Sequence, residues 1–112
     1  MNSVISIMPS SKALIASVQC REFDHGANER LKQEVYDAAA TTSGLPLILD
    51  LSRVTFIASS TLGALVELRN KFSKDGRRMA LTGVSPDILK VMKTCSIQGL
   101  FEVHDTVENA LA

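Results

Sequence analysis

Leu45-Pro46-Leu47-Ile48-Leu49-Asp50-Leu51-Ser52-Arg53-Val54-Thr55-Phe56-Ile57-Ala58-Ser59-Ser60-Thr61-Leu62-Gly63-Ala64-Leu65 is the stretch from which the architecture can be read. Leu45 to Leu51 is apolar almost without a break. A strand with one wet face would alternate, so this run predicts a strand covered on both faces, as in a parallel or mixed sheet. After the polar break at Ser52-Arg53, Val54-Thr55-Phe56-Ile57 is a second, shorter apolar piece. It leads straight into Ala58-Ser59-Ser60-Thr61, where the period becomes helical. Leu62, Leu65, Val66, Arg69 and Phe72 share one face, flanked by Ala64 and Leu68. Asp75-Gly76 supplies the stop, with Lys71 and Lys74 near the C-terminal end, where cations are favoured.

Outward from this centre the same alternation continues. On the N-terminal side, Val4 to Met8 and Ala13 to Val18 read as strands joined by a turn at Pro9-Ser10-Ser11, a hairpin. Ala27, Leu31, Val35, Ala38 and Ala39 then fall on one helical face, and Thr41 to Gly44 end that helix. On the C-terminal side, Met79 to Val84 is a strand. Ser85-Pro86-Asp87 is a helix start, with Ser as N-cap and Pro at the first helical position. Ile88, Leu89, Met92 and Cys95 give that helix an apolar side. Leu100 to Val103 reads as a last strand. Asp105-Thr106-Val107-Glu108 has capping-box spacing, with Asp standing in for Ser or Thr, and predicts a final helix. The order β-β-α-β-α-β-α-β-α makes residues 1–112 a single α/β domain, a mixed sheet packed against about four helices.

The composition excludes several classes of function. Twelve Lys+Arg balance twelve Asp+Glu over 112 residues, without the basic excess of a protein that binds nucleic acid by neutralising phosphates. Apolar residues at 46% and charged residues at 21% describe an ordered globule. No run approaches the length of a spanning helix, and Met1 to Met8 lacks the form of a signal peptide, so no membrane insertion is expected. Cys20 and Cys95 form no CxxC pair and read as thiols of a reducing cytoplasm.

The chemical inventory is thin. There is no phosphate-binding glycine loop and no HExxH. Cys20, Glu22, Asp24 and His25 are close in sequence, but no second ligand pair follows, and they read as solvated loop polars. Ser59 and Ser60 lack the G-x-S-x-G elbow and a partnered His, so no catalytic residue, metal or cofactor is expected. Lys71, Lys74, Arg77 and Arg78 read as a helix C-terminus and a solvated turn. What remains is Ala58-Ser59-Ser60-Thr61-Leu62-Gly63. One hydroxyl there suits an N-cap. The surplus sits where a helix N-terminus favours an anion, so a phosphate on Ser59 would add charge without unfolding the helix.

Leu49-Asp50-Leu51-Ser52-Arg53-Val54-Thr55-Phe56-Ile57-Ala58-Ser59-Ser60-Thr61-Leu62-Gly63 resembles the D-L-S-x-V-x-F-[MI]-D-S-[ST]-G-L-G signature of the STAS domain family, the bacterial anti-sigma-factor antagonists. Glu22-Phe23-Asp24-His25 with Leu31 to Val35 is similar to the family's G-E-L-D segment and first helix. Val84-Ser85-Pro86, Leu89 and Gly99-Leu100-Phe101 are similar to its C-terminal half. The chain departs from the pattern at Arg21 (family Gly), Ala58 (family Asp) and Thr61 (family Gly). The change at Ala58 removes a carboxylate beside the serine, and Thr61 adds a side chain at the helix mouth.

The resemblance implies a non-enzymatic cytoplasmic switch. In the family, a partner that is both serine kinase and anti-sigma factor phosphorylates the Ser at the position of Ser59. The unphosphorylated form binds that partner and frees the sigma factor, and a PP2C-type phosphatase resets the switch. Carried over by position, Ser59 is the phosphorylation site, and Asp24, Ala58, Ser60, Thr61 and Leu62 belong to the partner-binding surface. The alternative is a constitutive STAS interaction module, not phosphorylated, in a sensory scaffold or a transporter-associated complex.

Overall fold

The structure, a computed structural model, describes residues 5–23, 25–42 and 44–111. Strands β1 (Ile5–Pro9), β2 (Leu14–Val18), β4 (Leu47–Asp50), β6 (Met79–Thr82) and β7 (Glu102–His104) form one sheet in the order β1-β2-β4-β6-β7. The β1–β2 hairpin is antiparallel, and β2–β4, β4–β6 and β6–β7 are parallel, so the sheet is mixed. Strands β3 (Glu22–Phe23) and β5 (Phe56–Ile57) pair in parallel as a separate two-stranded ribbon. The helices are α1 (His25–Ala40), α2 (Ser59–Lys74), α3 (Pro86–Thr94) and α4 (Val107–Leu111), with one 3-10 turn at Gln98–Leu100.

The expected α/β architecture is thus present. The predicted first strand began at Val4, which lies outside the described residues. The central run behaves as its composition requires. Leu47, Leu49 and Leu51 enter the large core with Leu14, Ala16, Leu31, Val35, Leu65, Leu68, Phe72 and Leu81. Ile48 points the other way, against Ala13, Ala80 and Ala110 of α4. Helices α1, α2 and α3 therefore supply the large core, and α4 covers a small second one. Val66 packs against the large core from a half-buried position.

Helix ends follow backbone chemistry. After α2, Gly76 takes φ +71°, its N–H reaches Ser73 O (3.0 Å), and Arg77 N–H reaches Phe72 O (2.7 Å). This is a Schellman closure, in which glycine avoids the left-handed Cβ penalty. Helix α3 starts as read, with the Ser85 hydroxyl accepting the Ile88 N–H (3.2 Å). Cys95 is not on its apolar side; it is the exposed C-cap. For α4 the cap is Thr106, whose Oγ1 accepts the Asn109 N–H (3.1 Å), one residue after the expected Asp105.

Of the four bases around Gly76, Lys71, Lys74 and Arg78 are exposed, as the sequence suggested, and Arg77 is half-buried. Arg77 donates to Leu45 O (2.7 Å) and Ala39 O (3.2 Å) and lies over Phe72, tying the ends of α1 and α2 to the entry of β4. Lys71 sits over the Tyr36 ring. Arg78 grips both carboxylate oxygens of Glu102 and donates to Ala110 O (2.8 Å), joining β6, β7 and α4. The Arg78 guanidinium pulls the Glu102 carboxyl down to about 2 against partial burial, assisted by His104.

Candidate functional site

The β3–β5 ribbon fixes how the chain enters α2. The Phe23 carbonyl accepts the Ala58 N–H (3.0 Å), which holds Ala58 in an extended conformation at φ −74°, ψ 154°. The extended residue before the first helical turn is the N-cap by definition, and here it is an alanine with no oxygen to offer. Ser59 and Ser60 are consequently the first helical residues, and neither hydroxyl caps α2. This corrects the reading that one of them would. The Thr61 N–H turns back onto Ala58 O (2.9 Å).

Three consecutive hydroxyls meet three different environments. Thr61 is fully buried, and its Oγ1 lies 2.8 Å from Phe23 O and 2.6 Å from Asn28 Oδ1. Its single proton is shared between two acceptors, so the hydroxyl is committed inward. The expectation that Thr61 adds a side chain at the helix mouth is therefore corrected. The Ser60 hydroxyl accepts from Asn28 Nδ2 at 3.0 Å. Ser59 is exposed, and its hydroxyl has no hydrogen bond among the described residues.

Asn28 is 2% exposed, a side chain inside the first turn of α1 that binds both Ser60 and Thr61 of α2. It escaped the sequence reading, although its spacing was informative. Position 28 lies three before Leu31 and seven before Val35, which places an amide on the apolar face of α1. A buried amide needs partners, and the hydroxyls of α2 provide them.

The other members of the expected partner surface divide by burial. Asp24 lies outside the described residues. Ala58 is half-buried, Ser59 and Ser60 are exposed, and Leu62 is 6% exposed and packs into the core. Thr61 and Leu62 shape this surface from beneath. The exposed side chain of Phe56, at 56%, stands three residues before Ser59. Gly63 is exposed, and nothing lies within 4 Å of where its Cβ would be, so the helix surface next to Ser59 is bare.

A recess of about 160 Å³ opens beside Ser60, lined by Asn28, Glu29, Lys32, Gly63, Ala64 and Glu67. Lys32 spans it, with Nζ 2.9 Å from Glu67 and 3.3 Å from Glu29. Glu67, then Glu29, raises the Lys32 ammonium above its ordinary range. Two carboxylates against one ammonium leave the Ser60 side of α2 with a local negative excess. α2 itself has no acidic residue in its first turn. An added anion at the exposed first residue thus meets the positive end of the helix and no acidic residue of that turn. Among the described residues, no group of three or more His, Cys, Asp or Glu side chains converges, and no helix is long and apolar enough to cross a membrane.

The STAS domain family profile matches residues 15–110. A STAS-domain containing protein of Pseudomonas aeruginosa is 27% identical over 100 residues, covering 88% of this chain and 97% of its own. The anti-sigma-F factor antagonist RsfA of Mycobacterium tuberculosis is 26% identical over 115 residues, covering 93% of this chain and 90% of its own. Among solved structures, an anti-sigma-factor antagonist (STAS) domain protein from Planctomyces limnophilus superimposes with TM-score 0.83 at 21% identity, over 96% of this chain and 93% of the other. The anti-sigma factor antagonist SpoIIAA of Bacillus matches unphosphorylated (TM-score 0.78, 20% identity, 95% and 91% covered) and phosphorylated (0.70, 20%, 95% and 95%). The murine anion transporter Slc26a9 matches with TM-score 0.76 at 18% identity, over 92% of this chain and 18% of the transporter. The structures share the fold, and the profile match over most of the chain settles the lineage: this protein belongs to the STAS domain family.

Proposed function

We propose that the chain is an anti-sigma-factor antagonist of the cytoplasm, switched by phosphorylation of Ser59 and acting by binding rather than catalysis. The observation that carries the reading is the sorting of the three hydroxyls. Ser60 and Thr61 are held by Asn28 and Phe23, while Ser59 is exposed and uncommitted at the start of α2. Unphosphorylated, the surface around Ser59, Ser60 and Ala58 takes an anti-sigma factor that is also a serine kinase. Buried Thr61 and Leu62 support it, and Asp24 follows Phe23, whose carbonyl bonds Ala58 and Thr61. A phosphate adds roughly −1.5 to −2 charge units there, which the helix N-terminus tolerates and the partner surface does not. A PP2C-type phosphatase reverses the step. The relative named an anti-sigma-F factor antagonist, and SpoIIAA, solved in both phosphorylation states, support this reading.

A second reading is a constitutive STAS module in a transporter-associated complex or sensory scaffold. The fold shared with a segment of Slc26a9 favours it, as does the missing carboxylate at Ala58. Purification of tagged protein from cells of its own organism, followed by intact-mass measurement and partner identification, decides between them. A phosphate-sized mass increment mapped to Ser59 and an ATP-binding kinase as partner are expected. An unmodified protein bound to a membrane transporter would overturn the switch.

A further inference from the structure

We infer that Asn28 is a positioning residue that assigns the switch to Ser59 by withholding Ser60. The inference rests on the proposed phosphorylation and goes beyond it, because two adjacent serines, both exposed, offer a kinase nearly the same local sequence. Something in the fold must tell them apart, and the structure holds one such difference.

Asn28 is 2% exposed, so its amide cannot turn to water. Its Oδ1 is engaged by Thr61 Oγ1 at 2.6 Å, and this leaves Nδ2 facing Ser60, 3.0 Å from its Oγ. Thr61 is anchored in turn to Phe23 O at 2.8 Å, so the amide is oriented from behind by a second buried group. The Ser60 Oγ therefore spends a lone pair on an inward donor. A nucleophilic oxygen must leave that bond and rotate outward before it can reach the γ-phosphorus of a nucleotide. In that transfer the serine Oγ–P bond forms, the bond to the leaving ADP oxygen breaks, and the hydroxyl proton passes to a base of the kinase. Ser59 meets no such requirement.

The surroundings act in the same direction. Ser60 opens on the recess that Glu29 and Glu67 share with Lys32, so a phosphate there meets two carboxylates. Ser59 is not among the residues lining that recess. Release from Asn28 removes the geometric part of the discrimination and leaves the electrostatic part in place.

The test compares tagged wild type, Asn28→Ala and Asn28→Leu, each expressed in cells of the source organism and mapped by phosphopeptide mass spectrometry. Both variants lose the donor to Ser60 and offer its hydroxyl no acceptor. Thr61 keeps Phe23 O as an acceptor in either case, and Asn28→Leu also retains the side chain's bulk on the apolar face of α1, which keeps a folded variant in the comparison. The ratio of phosphate on Ser60 to phosphate on Ser59 should rise by about 2- to 10-fold in both, the factor that one hydrogen bond contributes. A merely structural role for Asn28 would lower both sites together and leave the ratio unchanged, which overturns the inference while the Ser59 switch stands. Wild type free of phosphate at both serines would overturn the switch and this inference with it.

Discussion

Ala58 occupies the N-cap of a sixteen-residue helix without a capping side chain, and this makes Ala58→Asp an instructive perturbation. The backbone at 58 is already pinned in the extended conformation by the Ala58 N–H bond to Phe23 O (3.0 Å), so a cap needs no rearrangement. Thr61 N–H is taken by Ala58 O (2.9 Å), which leaves the Ser60 amide, second in the helix, as the donor a capping side chain at 58 would meet. An Asp or Asn in place of Ala at an N-cap contributes about 0.5–2 kcal/mol. For a domain of this size that corresponds to a rise in Tm of roughly 2–10 °C. Thermal melts of wild type, Ala58→Asp and Ala58→Asn at pH 7 measure it. The pH dependence separates charge from hydrogen bonding. A carboxylate held by the cap has its folded pKa below its unfolded value. Its contribution is full above about pH 4 and fades as pH falls through the folded value. The Asn variant should show no such fading. If both variants melt at or below the wild-type temperature, Ala58 is not the N-cap, and the account of how the ribbon sets α2 fails.

Three further outcomes test the frame. Leu49 is fully buried between Ala16 of β2 and Leu81 of β6, and Leu49→Ala should cost about 2–5 kcal/mol in a urea titration. Gly83 has φ +65°, and a Cβ there would stand 2.8 Å from Ser52 Cβ and 3.0 Å from the Ser52 Cα. Gly83→Ala should therefore destabilise by about 2 kcal/mol or more, whereas Gly63→Ala, with open space around it, should stabilise by about 0.5–1 kcal/mol. Glu102, held down to about 2 by Arg78, contributes stability that is present above its unfolded value and lost as pH falls toward about 2. The urea midpoint should drop between pH 4.5 and pH 2, and Glu102→Gln should flatten that part of the curve.

What the sequence disclosed depended on whether a feature had a period. Leu47, Ile48 and Leu49 are apolar because the sheet is covered on both faces, and such runs are visible in one dimension. The Gly76 and Ser85 signals were equally plain, since left-handed backbone and N-capping each demand particular residues. The β3–β5 ribbon was invisible because two-residue strands carry no alternation, and the pairing of Glu22 with Phe56 and Phe23 with Ile57 is purely tertiary. That ribbon decided the cap of α2, so the sequence placed the cap on a serine that the fold put inside the helix. The surplus of hydroxyls over one cap was visible in the sequence, and the fold leaves that of Ser59 exposed. The fate of Thr61 was not legible, because it depends on Asn28, thirty-three positions away. The partners of Arg77 and Arg78 were not legible for the same reason. Their acceptors, Leu45 O, Ala39 O and Glu102, arrive only when the sheet assembles.

The central claim is that charge on one exposed hydroxyl governs partner binding while the fold stays intact. Isothermal titration of the partner recovered from native cells against wild type, Ser59→Ala and Ser59→Asp tests it most directly, with thermal melts as the control for folding. Ser59→Ala should bind as wild type does. Ser59→Asp should melt at or slightly above the wild-type temperature, because the helix N-terminus favours the charge. It should nevertheless bind at least about tenfold more weakly, since an unpaired charge is desolvated at the interface. Equal affinity of Ser59→Asp and wild type would contradict the account.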